Sequence, residues 1–263
     1  MKEKIMFRTS SIYELLLRRT KIERFIDERC RREDYMDIWK LFYKQPALGL
    51  AVAKNYELGN KEKQDIFIEE MNKPKLNVVF GGFKGSGKTA LAYWCAEELH
   101  KRYGTTTCVF KPIVWHPSIL PNYFYQGEME EDILKNVFVI YDEAQITMSS
   151  RRAMAKDHVS FSSFLTIQRH KNISAFIIQQ SIEMTDINVY RLADSFIIKP
   201  LGMLQLKKEH SEKDAILQFL KFLRPLNVTE TLYISADLTK ILLFETPLPS
   251  FWSDKLSKGG INY

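Results

Sequence analysis

Two short stretches of this 263-residue chain carry residue types that could do chemistry on phosphate. The first is Gly82-Phe83-Lys84-Gly85-Ser86-Gly87-Lys88-Thr89, followed by Ala90. It fits G-x-x-x-x-G-K-[ST] without a mismatch. Glycines at these spacings let successive backbone N–H groups turn inward and form a nest for phosphate oxygens. Lys88 is then placed to reach β- and γ-phosphates, and the Thr89 hydroxyl to ligate Mg²⁺. The second stretch is Asn136-Val137-Phe138-Val139-Ile140-Tyr141-Asp142-Glu143-Ala144, an apolar run that ends in two adjacent carboxylates. Phosphoryl transfer to water uses such a pair: Asp142 toward the cation, Glu143 polarising the attacking water.

The elements needed to position these groups are legible around them. Val78-Val79-Phe80 precedes the glycines as a strand, and Ala90–Tyr103 follows as a helix whose N-terminal N–H groups and dipole face an anion. Gly104 is a helix end and Thr105–Phe110 a second strand. The carboxylate run is a strand buried on both faces, and ligand sites in such sheets lie at the carboxyl ends of strands. A further strand, Ser174–Ile178, ends in Gln179-Gln180, amides suited to sensing a γ-phosphate or orienting water. Ser195–Lys199 makes a fifth parallel strand. Ser160–His170 reads as a helix closing on Gln168-Arg169-His170, where Arg169 is either a helix-end charge or an arginine finger for a neighbouring subunit's nucleotide.

The segments on either side are read more coarsely. Residues 1–75 form a helical extension, with a broken amphipathic helix over Ile12–Tyr43, an end marked by Pro46, and a second helix over Asp65–Met71. The aromatic, proline-rich stretch Lys111–Gln126 reads as a loop packed against that extension. Residues 76–200 form the nucleotide-handling core. Residues 201–263 add a helix over Glu209–Leu223 and a hairpin of Thr231–Ser235 with Ile241–Glu245, which must pack on something to be stable.

Composition narrows the classes. Hydrophobic content of 45% supports a sizeable core, and no run approaches the roughly 18 apolar residues that span a bilayer. Three cysteines show no metal-ligand spacing and read as buried, reduced thiols, which fits a cytoplasmic protein or a viral one acting in host cytoplasm. A net charge of +6 is compatible with a polyanionic partner. Arg29, Arg31 and Arg32 are surrounded by Glu28, Glu33 and Asp34 and read as a solvated helix face.

In order and spacing, GFKGSGKT, VFVIYDEAQ, the helix ending in QRH and AFIIQQS together resemble the FtsK/HerA-type DNA-pumping ATPases. The resemblance spans about Leu76–Pro200 and is nearest in look to the small genome-packaging ATPases of double-stranded DNA viruses and their plasmid or conjugation relatives. It implies an α/β P-loop NTPase fold of the additional-strand type, with Ser174–Ile178 inserted between the phosphate-loop strand and the carboxylate strand. It also implies ATP with Mg²⁺, a homo-oligomeric ring (a hexamer), movement of double-stranded DNA, and partners such as a membrane, portal or capsid component. The other reading is a nucleotide-dependent switch that binds a protein partner and hydrolyses slowly. A small-molecule kinase is disfavoured by the hydrolase-like carboxylate pair, and a DEAD-type helicase by the want of a second motor domain.

Overall fold

The computed structural model describes residues 12–110, 120–126, 137–142, 173–179, 192–201, 215–253 and 256. Among these, eight strands form one sheet in the order β3-β2-β4-β5-β1-β6-β7-β8. The strands are β1 (Asn77–Gly81), β2 (Thr107–Phe110), β3 (Phe124–Gln126), β4 (Phe138–Tyr141), β5 (Ser174–Ile178), β6 (Ser195–Ile198), β7 (Glu230–Ser235) and β8 (Ile241–Glu245). Strands β1 to β6 run parallel, and β7 and β8 continue the sheet antiparallel. The inserted strand is where the motif order places it: β5 lies between β4 and β1.

Strand residues alternate between two buried faces. Val79, Val139, Ala175, Ile177 and Phe196 share one apolar cluster, while Val78, Phe80, Ile140, Phe176 and Ile197 share the other. The first face is covered by α1 (Arg19–Arg29), α2 (Tyr35–Lys44), α3 (Pro46–Asn55) and α6 (Ala215–Phe222). The second is covered by α4 (Asn60–Met71), α5 (Lys88–Tyr103) and Leu256. Burying each large side chain of these faces stabilises the fold by about 1.5–3 kcal/mol.

The helical extension departs from the expected boundaries. The amphipathic run breaks at Arg18 and again over Cys30–Asp34, where Cys30 makes an isolated bridge to Leu223 and Arg32–Asp34 form one 3₁₀ turn. Pro46 marks a helix end as expected, since α2 stops at Lys44 with Gln45 as its C-cap, but it also opens α3 at the first turn, where its missing N–H costs nothing. The second helix begins at Asn60 rather than Asp65.

The aromatic stretch also differs where it is described. Phe124–Gln126 is a strand paired in parallel with β2, not loop. Tyr123 stacks on His100 at 4.0 Å between ring centroids, and Phe124 lies 5.4 Å from Tyr93 and 5.5 Å from Phe251. These rings pack on α5 and on the chain after β8, and Tyr125 turns to the cluster on the opposite face. The hairpin falls where expected and solves its stability problem by pairing β7 with β6.

Strand β8 ends the described sheet, and side chains of the extension close its outer edge. The Leu243 N–H donates to Asn55 Oδ1 and the Glu245 N–H to Asn60 Oδ1, each at 2.8 Å. Gln64 Nε2 donates to the Glu245 carbonyl at 2.8 Å. Asn55 is 2% exposed, so its loss leaves a buried donor unsatisfied. Asn55→Ala is expected to lower unfolding free energy by about 1–3 kcal/mol, read as a lower urea midpoint at unchanged slope. A change below about 0.5 kcal/mol would show that the edge is not held this way.

Candidate nucleotide site

The phosphate loop leaves β1 at Gly81 and re-enters regular structure at α5, with Gly87 in the left-handed region at φ 85°. Its crown, Phe83–Gly85, is exposed, while Ser86 and Lys88 are buried. The loop is tied to the end of β6: the Phe83 N–H donates to the Pro200 carbonyl at 3.0 Å. A local turn closes it, the Ser86 N–H donating to the Phe83 carbonyl at 3.2 Å.

Lys88 folds back over this loop. Its Nζ donates to the carbonyls of Gly82 and Phe83, both at 2.8 Å, and stands 3.5 Å from Ser86 Oγ. Anion oxygens entering the nest would compete for the same ammonium. One residue on, the Thr89 hydroxyl donates toward Asp142, at 3.2 Å from Oδ1 and 3.4 Å from Oδ2. Asp142 is 5% exposed and follows β4 directly, with its N–H bonded to the Phe110 carbonyl at 3.0 Å. The fold thus brings together two hard-oxygen ligands 53 residues apart in sequence. A hydroxyl and a carboxylate suit Mg²⁺, which keeps several waters and takes its remaining ligands from phosphate.

Gln179 follows β5 at the same rim. It is 1% exposed, and its Oε1 and Nε2 have no hydrogen-bond partner among the described residues. An unsatisfied buried amide costs about 1–3 kcal/mol and is spared that cost by a ligand that bonds it. Glu143, Arg169 and Gln180 lie outside the described residues. Gly82, Phe83, Lys84, Gly85, Ser86, Gly87, Lys88, Thr89 and Ala90 form the continuous turn into α5 that the motif requires.

One residue at this rim escaped sequence reasoning. Lys199 follows β6, is 1% exposed, and passes beneath the loop, its ammonium donating to the carbonyls of Val228 and Glu230 at the start of β7. The only signal for it was a lysine ending an apolar strand, which reads as a strand boundary. A cavity of about 390 Å³ opens beside Lys199, lined also by Arg31, Leu201, Leu220 and Arg224; no phosphate-loop residue lines it. It is set apart from the chemistry just described.

This is the P-loop NTPase fold of the additional-strand type, and at the level of fold the resemblance to FtsK/HerA-type ATPases holds. The genome packaging NTPase B204 from Sulfolobus turreted icosahedral virus 2, in complex with sulfate, matches at a TM-score of 0.51 and 16% identity, over 67% of this chain and 99% of that one. Its complex with ATP-gammaS gives a TM-score of 0.51 at 15% identity, over 66% and 98%. The N-terminal domain of zonular occludens toxin from Neisseria meningitidis matches at 17% identity over 70% and 97%, with a TM-score of 0.41. No protein-family model matches the chain, and no curated protein does.

The loop's glycines differ in what a side chain would meet. A Cβ at Gly82 would stand 2.7 Å from Ser86 Oγ and 3.0 Å from Lys199 Cβ, whereas one at Gly85 (φ 80°) would meet nothing within 4 Å. Gly85→Ala is expected to cost only the left-handed backbone penalty, about 1–2 kcal/mol. Gly82→Ala should cost more, because the loop must also shift. Chemical denaturation of the two variants side by side checks this, and equal losses would contradict it.

Proposed function

We propose that this chain is an ATPase of the FtsK/HerA type that moves double-stranded DNA, in genome packaging or DNA transfer, with hydrolysis at sites between subunits of a homo-oligomeric ring. The observation that carries the reading is the convergence on one rim of the sheet of the Lys88 ammonium, the Thr89–Asp142 pair and the buried Gln179 amide. A loop that merely bound phosphate would have no use for the last two. The fold shared with a genome packaging NTPase supports the class. The net charge of +6 supports a polyanionic track.

In this reading ATP enters with its phosphates in the nest of Gly82–Thr89. Lys88 exchanges the carbonyls of Gly82 and Phe83 for β- and γ-phosphate oxygens. Thr89 and Asp142 would hold Mg²⁺, which would supply neutralisation of the charge that develops on the phosphates. Glu143 orients and polarises a water in line with the γ-phosphorus. That water's oxygen bonds to phosphorus as the bond to the ADP oxygen breaks, giving ADP and inorganic phosphate. Gln179 or Gln180 bonds the γ-phosphate or that water and so reports its presence to β5. Arg169 reaches the nucleotide of the neighbouring subunit and stabilises the charge that develops.

Among the described residues no helix is long and apolar enough to cross a membrane. Any membrane, portal or capsid component would therefore be engaged by contacts other than a span through the described helices.

Two outcomes test the roles. Glu143→Gln should bind Mg-ATP and hardly turn it over, since the amide keeps the shape and loses the base. Trapping of ATP by Asp142→Asn, with normal turnover by Glu143→Gln, would reverse the assignment. Arg169→Ala should bind ATP almost normally and lose most of its turnover, a finger being worth about 10³–10⁵ in rate. Mixing Arg169→Ala with Lys88→Ala should restore part of the activity, and duplex DNA should raise the wild-type rate in a salt-sensitive way. Rates independent of protein concentration and of DNA, with no rescue on mixing, would instead identify the protein-binding switch.

A further inference from the structure

We propose that Lys199 is a positioning residue of the phosphate loop, whose buried ammonium clamps the loop's floor to the turn before β7 and which takes up a proton when nucleotide phosphate fills the nest. The proposal rests on the reading that this loop binds nucleotide.

The clamp is visible in the contacts. The Lys199 N–H donates to the Gly81 carbonyl at 2.9 Å, fixing the residue beside the point where the loop departs. Its Cβ stands 3.0 Å and its Cε 3.5 Å from where side chains would begin at Gly82 and Gly87. The aliphatic stem therefore lies beneath both ends of the loop. Beyond the stem, Nζ donates to the carbonyls of Val228 at 2.7 Å and Glu230 at 2.8 Å, and to Thr231 Oγ1 at 3.3 Å. Three acceptors meet the three N–H groups of an ammonium, so this arrangement is built for the charged form. A neutral amine would leave one of them short of a donor.

The charges facing this group pull in opposite directions. Glu230 on β7 favours the ammonium, and Glu230 is itself paired with Arg29 of α1 at 2.7 Å. Lys88 at the head of α5 repels it. Burial is the largest influence, and with Lys88 it outweighs Glu230, so the Lys199 ammonium is pushed down to about 8. The cavity of about 390 Å³ is lined in part by Lys199.

Nucleotide changes this balance. Phosphates in the nest bring several negative charges and offset Lys88, which favours the Lys199 ammonium. The bound protein then holds more protons than the free protein at pH values above about 8. By linkage, affinity is level below that pH and falls as pH rises through it, until the higher value of the bound form is reached. A lysine serving only as packing would give no such slope.

The experiment is calorimetric titration of the full chain with Mg-ADP, which is not consumed, in two buffers of unlike ionisation enthalpy at pH 8.5. Wild type should take up between about 0.3 and 0.8 of a proton, with affinity falling by up to about tenfold per pH unit above pH 8. Lys199→Met keeps the length of the stem and removes the charge; it should show no uptake and a flat profile, whatever its absolute affinity. Glu230→Gln removes the favouring carboxylate and should move the bend to lower pH, which keeps the proposal testable if Lys199→Met fails to fold. Binding without proton uptake in wild type overturns the proposal, as does uptake that persists in Lys199→Met or a bend unmoved in Glu230→Gln. Failure of wild type to bind Mg-ADP at any pH overturns the nucleotide site itself, and this inference with it.

Discussion

The rest of the molecule depends on β1 being hydrogen-bonded on both sides by strands that arrive much later in the chain. Phe80 is level with Ile178 of β5, and Gly81 with Ile198 of β6. Because all three strands run parallel, all three end together, and whatever follows each is delivered to the same rim. Gln179, Lys199 and the glycine loop are neighbours for that reason alone. The register is held by the two apolar faces, since a slip of one residue in any strand would turn its core side chains toward the wrong cluster. The chemistry is thus specified by Val, Ile and Phe side chains that never touch a phosphate.

Much of this was readable in the residues. The strand–turn–helix around Gly82–Thr89, the apolar run into Asp142 and the strand into Gln179 each combine a buried hydrophobic run with a polar terminus, and that combination survives translation into structure. The hairpin of Thr231–Ser235 and Ile241–Glu245 was legible from two apolar, strand-like runs flanking the short turn Ala236–Thr239. What was not legible depends on partners far away. Pro46 announced the end of α2 but not that a new helix opens on it at once, one that packs on β8. Phe124–Gln126 is too short, and too close behind Pro112, Pro117 and Pro121, to announce itself as a strand; its pairing with β2 makes it one. Lys199 shows in sequence only as a charge after apolar residues, the usual mark of a chain returning to solvent. Its burial follows from the turn of Val228–Thr231, which supplies its acceptors from some thirty residues downstream.

The helices before the phosphate loop are joined to the segment after the last parallel strand, and Glu230 at that junction also faces Lys199. Arg29 pairs with Glu230, the Arg224 N–H donates to the Arg29 carbonyl at 2.8 Å, and Cys30 bridges to Leu223. Phe25 of α1 stacks on Phe219 of α6 at 6.0 Å. Through these contacts α1 and α6 cover, with α2 and α3, the face of the sheet that α5 leaves bare.

The closing of the β8 edge has a bearing on how the protein is made. Asn55 and its partner Leu243 are separated by 188 residues, and Asn60 and Glu245 by 185. At a synthesis rate of about 5–20 residues per second, the helices that carry those amides leave the ribosome roughly 10–40 s before the strand they serve. Over that interval Leu48, Val52, Phe67 and Ile68, all buried in the finished protein, have no sheet edge to rest on. Closing so long a loop adds little to the equilibrium cost, but it makes the contact late. The nascent chain therefore passes through a long stage in which the apolar residues of its first segments are uncovered, which is the stage at which a chaperone would find it.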